Sequence, residues 1–290
     1  MLIQPIGETQ LASLNTSTIF MGDALTALRR LPGNSVRAIV TSPPYWGLRD
    51  YDIAGQIGLE TNLQQFVNAL VSVFAEARRV LTDDGTLWLN IGDGYTSGSR
   101  AYRASDKKNP ARAMETRPPT PEGLKSKDLL GIPWRLAFAL QADGWYLRSE
   151  VIWNKPNAMP ESVKDRPTRS HEHIFMLTKS DRYHYDWEAM REGADAGGLR
   201  SRRSVWNVNT KGFAGAHFAT FPPELIRPCI LASSEPDDFV LDPFFGAGTV
   251  GLVCREENRR FIGIELNPDY VGMAAARLQG PLVQPRRTAA

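Results

Sequence analysis

Short apolar runs rich in β-branched residues alternate along the chain with segments of helical periodicity. Between the second and third runs, apolar residues recur at i, i+3 and i+4 from Leu63 to Phe74, which predicts an amphipathic helix. Strand and helix patterns that alternate in this way predict βα units on a mostly parallel sheet, an α/β fold. The predicted strands cover residues 17–23, 36–42, 85–93, 147–155, 171–179, 238–244 and 260–266.

Length and composition are those of one large α/β unit. The chain has 290 residues, and 42% of them are hydrophobic, which is enough to fill one core. No apolar stretch reaches the roughly 20 residues that span a bilayer, and the first residues lack a basic region followed by an apolar run. We therefore expect one cytoplasmic domain over residues 1–290 with no membrane partner. Cys229 and Cys254 have no metal-binding spacing, so we expect two buried thiols and no metal site.

Basic residues are concentrated in two segments outside the strand and helix pattern. The net charge is only +2, but residues 100–128 combine basic side chains with prolines and few large apolar residues. A second segment, 191–211, combines arginines with glycines. We interpret both as insertions, over residues 94–130 and 181–216, which are either solvated loops or surfaces for an anionic partner.

The segment LDPFFGAGTVG has the pattern of a nucleotide-binding turn. A predicted strand ends at Asp242, and Gly246, Gly248 and Gly251 follow with G-x-G-x-x-G spacing before a helical pattern. The next strand ends in Glu265, a carboxylate that can accept hydrogen bonds from ribose hydroxyls. This spacing fits NAD or S-adenosylmethionine. An acidic residue at the entry disfavours a pyrophosphate but suits the sulfonium and ammonium of S-adenosylmethionine, which we therefore predict as the cofactor.

Two other strand ends carry polar residues, and we expect them at the same edge of the sheet because the carboxyl ends of parallel strands meet there. Asp23 either caps a helix over residues 24–31 or accepts from an adenine amino group. The strand over residues 36–42 runs into TSPPYW, where two consecutive prolines fix a rigid corner beside Tyr45. Trp46 either assists the site or belongs to the core.

The tetrapeptide Ser-Pro-Pro-Tyr after a strand resembles the catalytic signature of the DNA methyltransferases that modify exocyclic amines. Other motifs agree in order and spacing and cover most of the chain: GDAL, QIGLE, LTDDGTLWLNIGD, RSHEHIFMLTKS, HFATFPPELI, DPFFGAGTVG and IGIELNPDY. The tetrapeptide precedes the glycine turn, which resembles the permuted β class of that family. The resemblance implies a Rossmann-like, S-adenosylmethionine-dependent methyltransferase fold with a mostly parallel seven-stranded sheet, permuted motif order and basic insertions.

The resemblance also implies the chemistry. Ser42 and the carbonyl of Pro43 accept the two N–H bonds of an exocyclic amine, Pro44 adds rigidity, and Tyr45 offers its ring to a base that has left the duplex stack. Methyl transfer is then direct, because methylation at ring carbon would need a nucleophilic cysteine and Cys229 lies in an apolar helix-like run. The expected cofactor-binding residues are Asp23, Thr41, Phe218, Thr220, Pro222, Asp242, Pro243, Phe244, Gly246, Gly248, Thr249, Glu265 and Asn267. For Phe218, Thr220 and Pro222 a simple helix-entry turn is an equal alternative.

The implied partner is double-stranded DNA, together with a cognate restriction endonuclease, and the chain is expected to be a monomer or homodimer. Ser42 stands where most adenine-methylating relatives have Asp, so we expect methylation of N4 of cytosine, with N6 of adenine as the alternative. An RNA methyltransferase and an NAD-dependent oxidoreductase are less favoured interpretations. The residues expected to contact DNA are Arg100, Arg103, Lys107, Lys108, Arg200, Arg202 and Arg203.

Overall fold

The computed structural model describes residues 1–7, 14–51, 53–97, 118–194, 197–211 and 221–280, and these ranges contain eleven strands and six helices. The strands are β1 (Leu2–Pro5), β2 (Thr18–Met21), β3 (Val36–Thr41), β4 (Leu81–Ile91), β5 (Tyr146–Asn154), β6 (His171–Thr178), β7 (Arg191–Gly193), β8 (Leu199–Ser201), β9 (Val205–Asn207), β10 (Phe239–Asp242) and β11 (Arg260–Glu265). The helices are α1 (Ala24–Arg30), α2 (Leu63–Val80), α3 (Ile132–Ala142), α4 (Pro223–Ser233), α5 (Thr249–Glu256) and α6 (Pro268–Gln279).

Nine of the strands form one sheet in the order β1-β2-β11-β10-β3-β4-β6-β5-β9. Every neighbouring pair is parallel except the two pairs that contain β6, which confirms the predicted mostly parallel α/β fold. The seven predicted strands are the seven central ones. Two short edge strands, β1 and β9, raise the total from seven to nine. They were not predicted, because their residues are mostly exposed and form no buried apolar run.

Two apolar layers cover the sheet. On one face, the core contains side chains from α1, α2 and α3, and on the other it contains side chains from α4, α5 and α6. The predicted amphipathic helix is α2, in which Phe66, Leu70 and Phe74 are fully buried. Asn62 caps this helix, since its side-chain oxygen accepts from the backbone N–H of Gln65 at 2.9 Å. None of the helices in the described ranges is long and apolar enough to cross a membrane.

The reversed direction of β6 decides which residues reach the carboxyl edge of the parallel strands. His173 of β6 pairs with Ile91 near the end of β4, and His171 pairs with Asn154 at the end of β5. The first residues of β6 therefore lie at the same edge as the last residues of its neighbours. This is the edge at which open α/β sheets bind ligands.

Both cysteines are buried, which confirms the sequence prediction. Cys229 lies in α4 directly after Pro228, and Cys254 lies in α5. Burial raises the pKa of both thiols well above the ordinary value, so each stays protonated at neutral pH. A buried, protonated thiol is not a nucleophile.

The ring of Phe245 fills the space between α5 and the sheet. It stacks on Phe261 with ring centroids 5.5 Å apart. A Cβ atom added to Gly263 in β11 would lie 2.4 Å from the Phe245 ring, and one added to Gly251 in α5 would lie 2.7 Å from it. The third glycine of the G-x-G-x-x-G pattern thus packs the helix on the sheet, as its spacing predicts.

We expect Gly263→Ala to destabilise the protein by about 1–3 kcal/mol, because the added methyl group has to displace a packed aromatic ring. Gly272→Ala, in α6, is the matched control, since no heavy atom lies within 4 Å of its added Cβ. There the same substitution should be neutral or stabilising by up to about 1 kcal/mol. Urea unfolding measures both, and equal midpoints for the two variants would contradict this packing.

Candidate functional site

A buried hydrogen bond joins the ends of β3 and β10. Thr41 is the last residue of β3, Asp242 is the last residue of β10, and the Thr41 hydroxyl donates to Oδ1 of Asp242 at 2.6 Å. The two residues are 201 positions apart in the chain. Since the proline corner begins at Ser42 and the glycine turn begins just after Asp242, this bond holds the two sequence motifs side by side.

Burial raises the pKa of the Asp242 carboxyl to about 7. The hydrogen bonds from Thr41 and from the backbone N–H of Phe244, at 3.0 Å, oppose this shift only in part, and the nearby carboxyl of Glu265 adds to it. Only 2% of Asp242 is exposed. A carboxyl with this pKa ionises readily when a cationic group comes near, which is the property that a cationic ligand requires.

The glycine turn adopts backbone conformations that favour glycine. Gly246 and Gly248 both adopt left-handed φ angles, 49° and 74°, and Gly248 precedes the first turn of α5. Among the described residues other than its two chain neighbours, the nearest heavy atom to a Cβ added to Gly246 is the carbonyl oxygen of Phe244, at 4.0 Å. The turn therefore leaves open space at Gly246, where a ligand can approach the backbone closely.

Glu265 tethers the glycine turn to the end of β11. Its Oε2 accepts from the N–H of Gly246 at 2.7 Å, and its Oε1 accepts from the N–H of Asn267 at 2.8 Å. Burial raises the pKa of this carboxyl. Each carboxylate oxygen has a second lone pair, so both can still accept from the two hydroxyls of a ribose.

Three predicted cofactor residues use their side chains within the protein. Oδ1 of Asp23 accepts from the N–H of Thr26 at 2.8 Å, which makes Asp23 the N-cap of α1. Asn267 caps α6 in the same way. The buried hydroxyl of Thr249 accepts from Arg277 at 3.0 Å, which packs α5 against α6. Pattern reasoning offered the capping role for Asp23 but not the roles of Asn267 and Thr249.

The remaining predicted cofactor residues lie around the same turn or outside the described ranges. Pro243 is buried, and Phe244 is half-buried with its ring edge-on to Phe74 at a centroid distance of 6.4 Å. Pro222 is the N-cap of α4, as the helix-entry alternative predicts. Phe218 and Thr220 lie outside the described residues.

The two aromatic residues of the proline corner, Tyr45 and Trp46, lie in different surroundings. Trp46 is buried in the core and its indole N–H donates to the carbonyl of Glu60 at 3.0 Å, which assigns it to the core. Tyr45 is half-buried, and its hydroxyl donates to Oε2 of Glu172 at 2.8 Å. Burial and the Glu172 carboxylate raise the pKa of Tyr45 well above its usual value, so Tyr45 is neutral.

Several residues around Tyr45 escaped the sequence reasoning. A Cβ added to Gly92, just after β4, would lie 2.7 Å from the Tyr45 ring. Glu172 also accepts from the side-chain amide of Asn90 at 3.1 Å and from the ammonium of Lys155. Their positions at the ends of predicted strands could have pointed to these residues. They were not predicted, because periodicity does not reveal that β6 runs in the opposite direction.

A cavity of about 140 Å³ opens beside this corner. Its walls include Tyr45, Gly92, Asp93, Tyr95, Pro118 and Ile132. Asp93 accepts from the backbone N–H groups of Gly131 at 3.1 Å and Ile132 at 3.0 Å, so it fixes the start of α3 against the cavity. The described part of the first basic insertion therefore borders the site. Its candidate DNA contacts, Arg100, Arg103, Lys107 and Lys108, lie outside the described residues.

The second basic insertion contains strands β7, β8 and β9. Glu192 of β7 pairs with Arg200 at 3.1 Å and with Arg202 at 3.7 Å. The Arg202 guanidinium also lies 5.1 Å from the ring centroid of Trp206. Arg203 is exposed. The sequence did not predict that a carboxylate offsets part of the charge of two candidate DNA contacts. The described residues contain no cluster of three or more His, Cys, Asp or Glu that could hold a metal ion.

Known proteins resemble this chain over nearly its whole length. A family model described as DNA methylase matches residues 36–276. Type II methyltransferase M.Cfr9I from Citrobacter freundii is 72% identical over 278 residues, which cover 96% of this chain and 93% of that protein.

Solved structures show the same fold. PvuII DNA methyltransferase, described as cytosine-N4-specific, matches with a TM-score of 0.70 at 20% identity, and the match covers 95% of this chain and 91% of that one. A putative DNA modification methylase from Thermus thermophilus, solved in complex with S-adenosyl-L-methionine, matches with a TM-score of 0.62 at 25% identity, over 90% of this chain and 92% of that one.

The raised pKa of Asp242 makes stability depend on pH. The folded protein holds this proton up to about pH 7, whereas the unfolded chain releases it near pH 4. The folded state therefore loses stability as the pH rises between these values, by about 2–3 kcal/mol from pH 5 to pH 8. Asp242→Asn cannot ionise at this position, so its free energy of unfolding should vary less with pH, and the residual slope comes from the other groups with shifted pKa values, among them Glu265 and His171. Denaturant titrations at several pH values measure this, and identical slopes in both proteins would contradict the assignment.

Proposed function

We propose, given that this chain belongs to the DNA methylase family whose members modify N6 of adenine or N4 of cytosine, that it methylates N4 of a cytosine flipped out of duplex DNA. The family is S-adenosylmethionine-dependent. The observation that carries the proposal is the Thr41–Asp242 hydrogen bond, which joins the corner suited to an amine with the turn suited to a cationic nucleoside.

The residues around the glycine turn fit S-adenosylmethionine. Glu265 keeps acceptor capacity for the ribose hydroxyls, Gly246 leaves room for close approach, and Asp242 can ionise beside a cation. When bound, the cofactor supplies an electrophilic methyl group on a positively charged sulfur. We propose that Asp242 and Glu265 together hold the ammonium and ribose ends, so that the methyl group is directed at the proline corner.

The proline corner supports direct transfer to an exocyclic amine. The lone pair of such an amine is delocalised into the base ring, which makes it a poor nucleophile. Ser42 and the carbonyl of Pro43 can accept both N–H bonds and thereby favour a tetrahedral nitrogen whose lone pair points at the methyl group. The ring of Tyr45 provides a surface on which the extruded base can stack.

The choice of cytosine rests on position 42. Ser42 is a weaker and shorter acceptor than an aspartate, which suits the smaller pyrimidine ring. The two basic insertions supply candidate phosphate contacts. Arg203, which lies within the described ranges, is exposed to solvent. The similarity to a Type II methyltransferase supports a cognate restriction endonuclease as a partner that reads the same DNA sequence.

Nucleoside analysis tests the proposed function. The enzyme is expressed with a plasmid in a host that lacks DNA methylation, and the digested plasmid is examined by mass spectrometry. We expect N4-methylcytosine, located by sequencing at one recurring DNA sequence. N6-methyladenine alone would overturn the choice of base. If a folded preparation that binds S-adenosylmethionine forms neither product, amine methylation of DNA would be overturned.

Ser42→Ala should lose activity without losing the cofactor. We expect kcat to fall by about 10²–10³-fold, because Ser42 contacts the amine as its charge develops. The dissociation constant for S-adenosylmethionine should stay within about twofold of the wild-type value. Ser72→Ala, which removes an exposed hydroxyl from α2, is the matched control and should leave kcat unchanged. Wild-type single-turnover rates in Ser42→Ala would remove Ser42 from the mechanism.

A further inference from the structure

A half-buried ion pair lies behind the catalytic corner. Lys155 follows the last residue of β5, Glu172 is the second residue of β6, and the Lys155 ammonium donates to Oε1 of Glu172. Their side chains are only 18% and 17% exposed. The ammonium also lies 4.2 Å from the ring centroid of Trp153, which neighbours Glu172 in the sheet register.

The carboxylate of Glu172 is shared among three donors from different parts of the chain. Oε2 accepts from the Tyr45 hydroxyl at 2.8 Å and from Asn90 of β4 at 3.1 Å, while Oε1 accepts from Lys155. Burying an ion pair removes two charges from water, and the cost of doing so often matches the attraction gained. The pair is therefore a poor device for stability alone, and its position suggests a role in the reaction.

The contacts of Tyr45 show what the pair can do. The aromatic ring is confined on one side by Gly92, whose added Cβ would lie 2.7 Å away, but that contact alone does not fix the hydroxyl. The bond to Glu172 fixes the hydroxyl end of the side chain, while Gly92 at the ring edge limits rotation of the ring about its own axis. Hydrogen bonds link Tyr45 through Glu172 to Lys155, and Ser42 lies three residues before Tyr45 in the same proline corner.

We propose that Glu172 and Lys155 are positioning residues for methyl transfer, which hold the Tyr45 ring in the orientation on which the target base stacks beside Ser42. Lys155 occupies Oε1 of Glu172 and thereby directs Oε2 toward the Tyr45 hydroxyl. The inference rests on the proposed function. It adds Glu172 of β6 and Lys155, just after β5, to a site built around the ends of β3, β10 and β11. Misplacing reacting groups by about 1 Å can cost 10²-fold in rate.

Two single substitutions and their combination test the proposal. Tyr45→Phe keeps the ring and removes the hydroxyl. Glu172→Gln keeps the shape, but its single acceptor oxygen cannot occupy both the position that faces Lys155 and the position that faces Tyr45. We expect each to lower kcat for DNA methylation by about tenfold or more. The double variant should be no slower than the slower single variant, because both remove the same interaction.

Glu150→Gln is the matched control. Glu150 lies on β5, and its Oε1 is 2.6 Å from Nδ1 of His173 on β6. The same change is therefore made between the same two strands without touching Tyr45. Its kcat should stay within about twofold of the wild-type value. Cofactor affinity, measured by calorimetry, should be unchanged in all variants, so that the defect appears in kcat and not in cofactor binding.

The outcomes separate the possibilities. Wild-type kcat in Tyr45→Phe with a lowered melting temperature would mean that the contact is only structural and would overturn the proposal. Independent, multiplying effects in the double variant would overturn it as well. If Glu172→Gln does not fold, the kcat of Tyr45→Phe, which lacks only one oxygen atom, still tests the proposal. Failure of the proposed function is distinguishable, because wild-type enzyme would then methylate no DNA, whereas methylation of adenine would leave this test intact.

Discussion

The hydrogen bond between Thr41 and Asp242 is the contact on which the site depends. It lies where two neighbouring parallel strands, β3 and β10, end side by side. The proline corner leaves one strand and the glycine turn leaves the other, so a change in the relative position of the two strands would separate the proposed amine site from the proposed cofactor site. Two motifs 201 positions apart are thereby brought within one hydrogen bond of each other. This geometry does not depend on which of the two motifs comes first in the chain. A chain with the opposite motif order could therefore build an equivalent site.

The direction of β6 is the second constraint. In a wholly parallel sheet the first residues of a strand lie far from the carboxyl edge, but β6 is antiparallel to both β4 and β5. Glu172, near its start, therefore reaches the edge where β4 delivers Asn90 and where Lys155 follows β5. The site thus combines the ends of parallel strands, which hold the proposed cofactor contacts, with the beginning of one reversed strand, which supports Tyr45.

The sequence predicted those features that short-range chemistry controls. All seven central strands and helix α2 follow from apolar periodicity, and the glycine turn follows from the G-x-G-x-x-G spacing between a strand and a helix. The edge strands β1 and β9 did not follow, because their residues are mostly exposed and form no buried apolar run. Strand direction is likewise absent from periodicity, and for that reason Glu172 was missed.

Polar side chains at strand ends were the least predictable part of the site. Such a side chain can cap the next helix or contact a ligand, and both uses favour the same residue types. The structure resolves Asp23 and Asn267 as helix caps, whereas Glu265 retains acceptor capacity while tethering a turn. Trp46 shows the same ambiguity for apolar residues, since only the packed structure assigns it to the core. What separates the alternatives is the hydrogen-bond partner, which is two or three residues away for the two caps and farther along the chain for Glu265 and Trp46.

The central claim is that the proline corner and the glycine turn form one site for direct methyl transfer to an exocyclic amine. A crystal structure of the enzyme with a duplex that contains its target sequence and a non-reactive analogue of S-adenosylmethionine tests it most directly. The account predicts an extruded base on Tyr45, with its amine nitrogen bonded to Ser42 and the Pro43 carbonyl and about 3–3.5 Å from the position of the transferable methyl group. A target base that remains stacked in the duplex, or an amine bonded elsewhere than to Ser42 and Pro43, would contradict it.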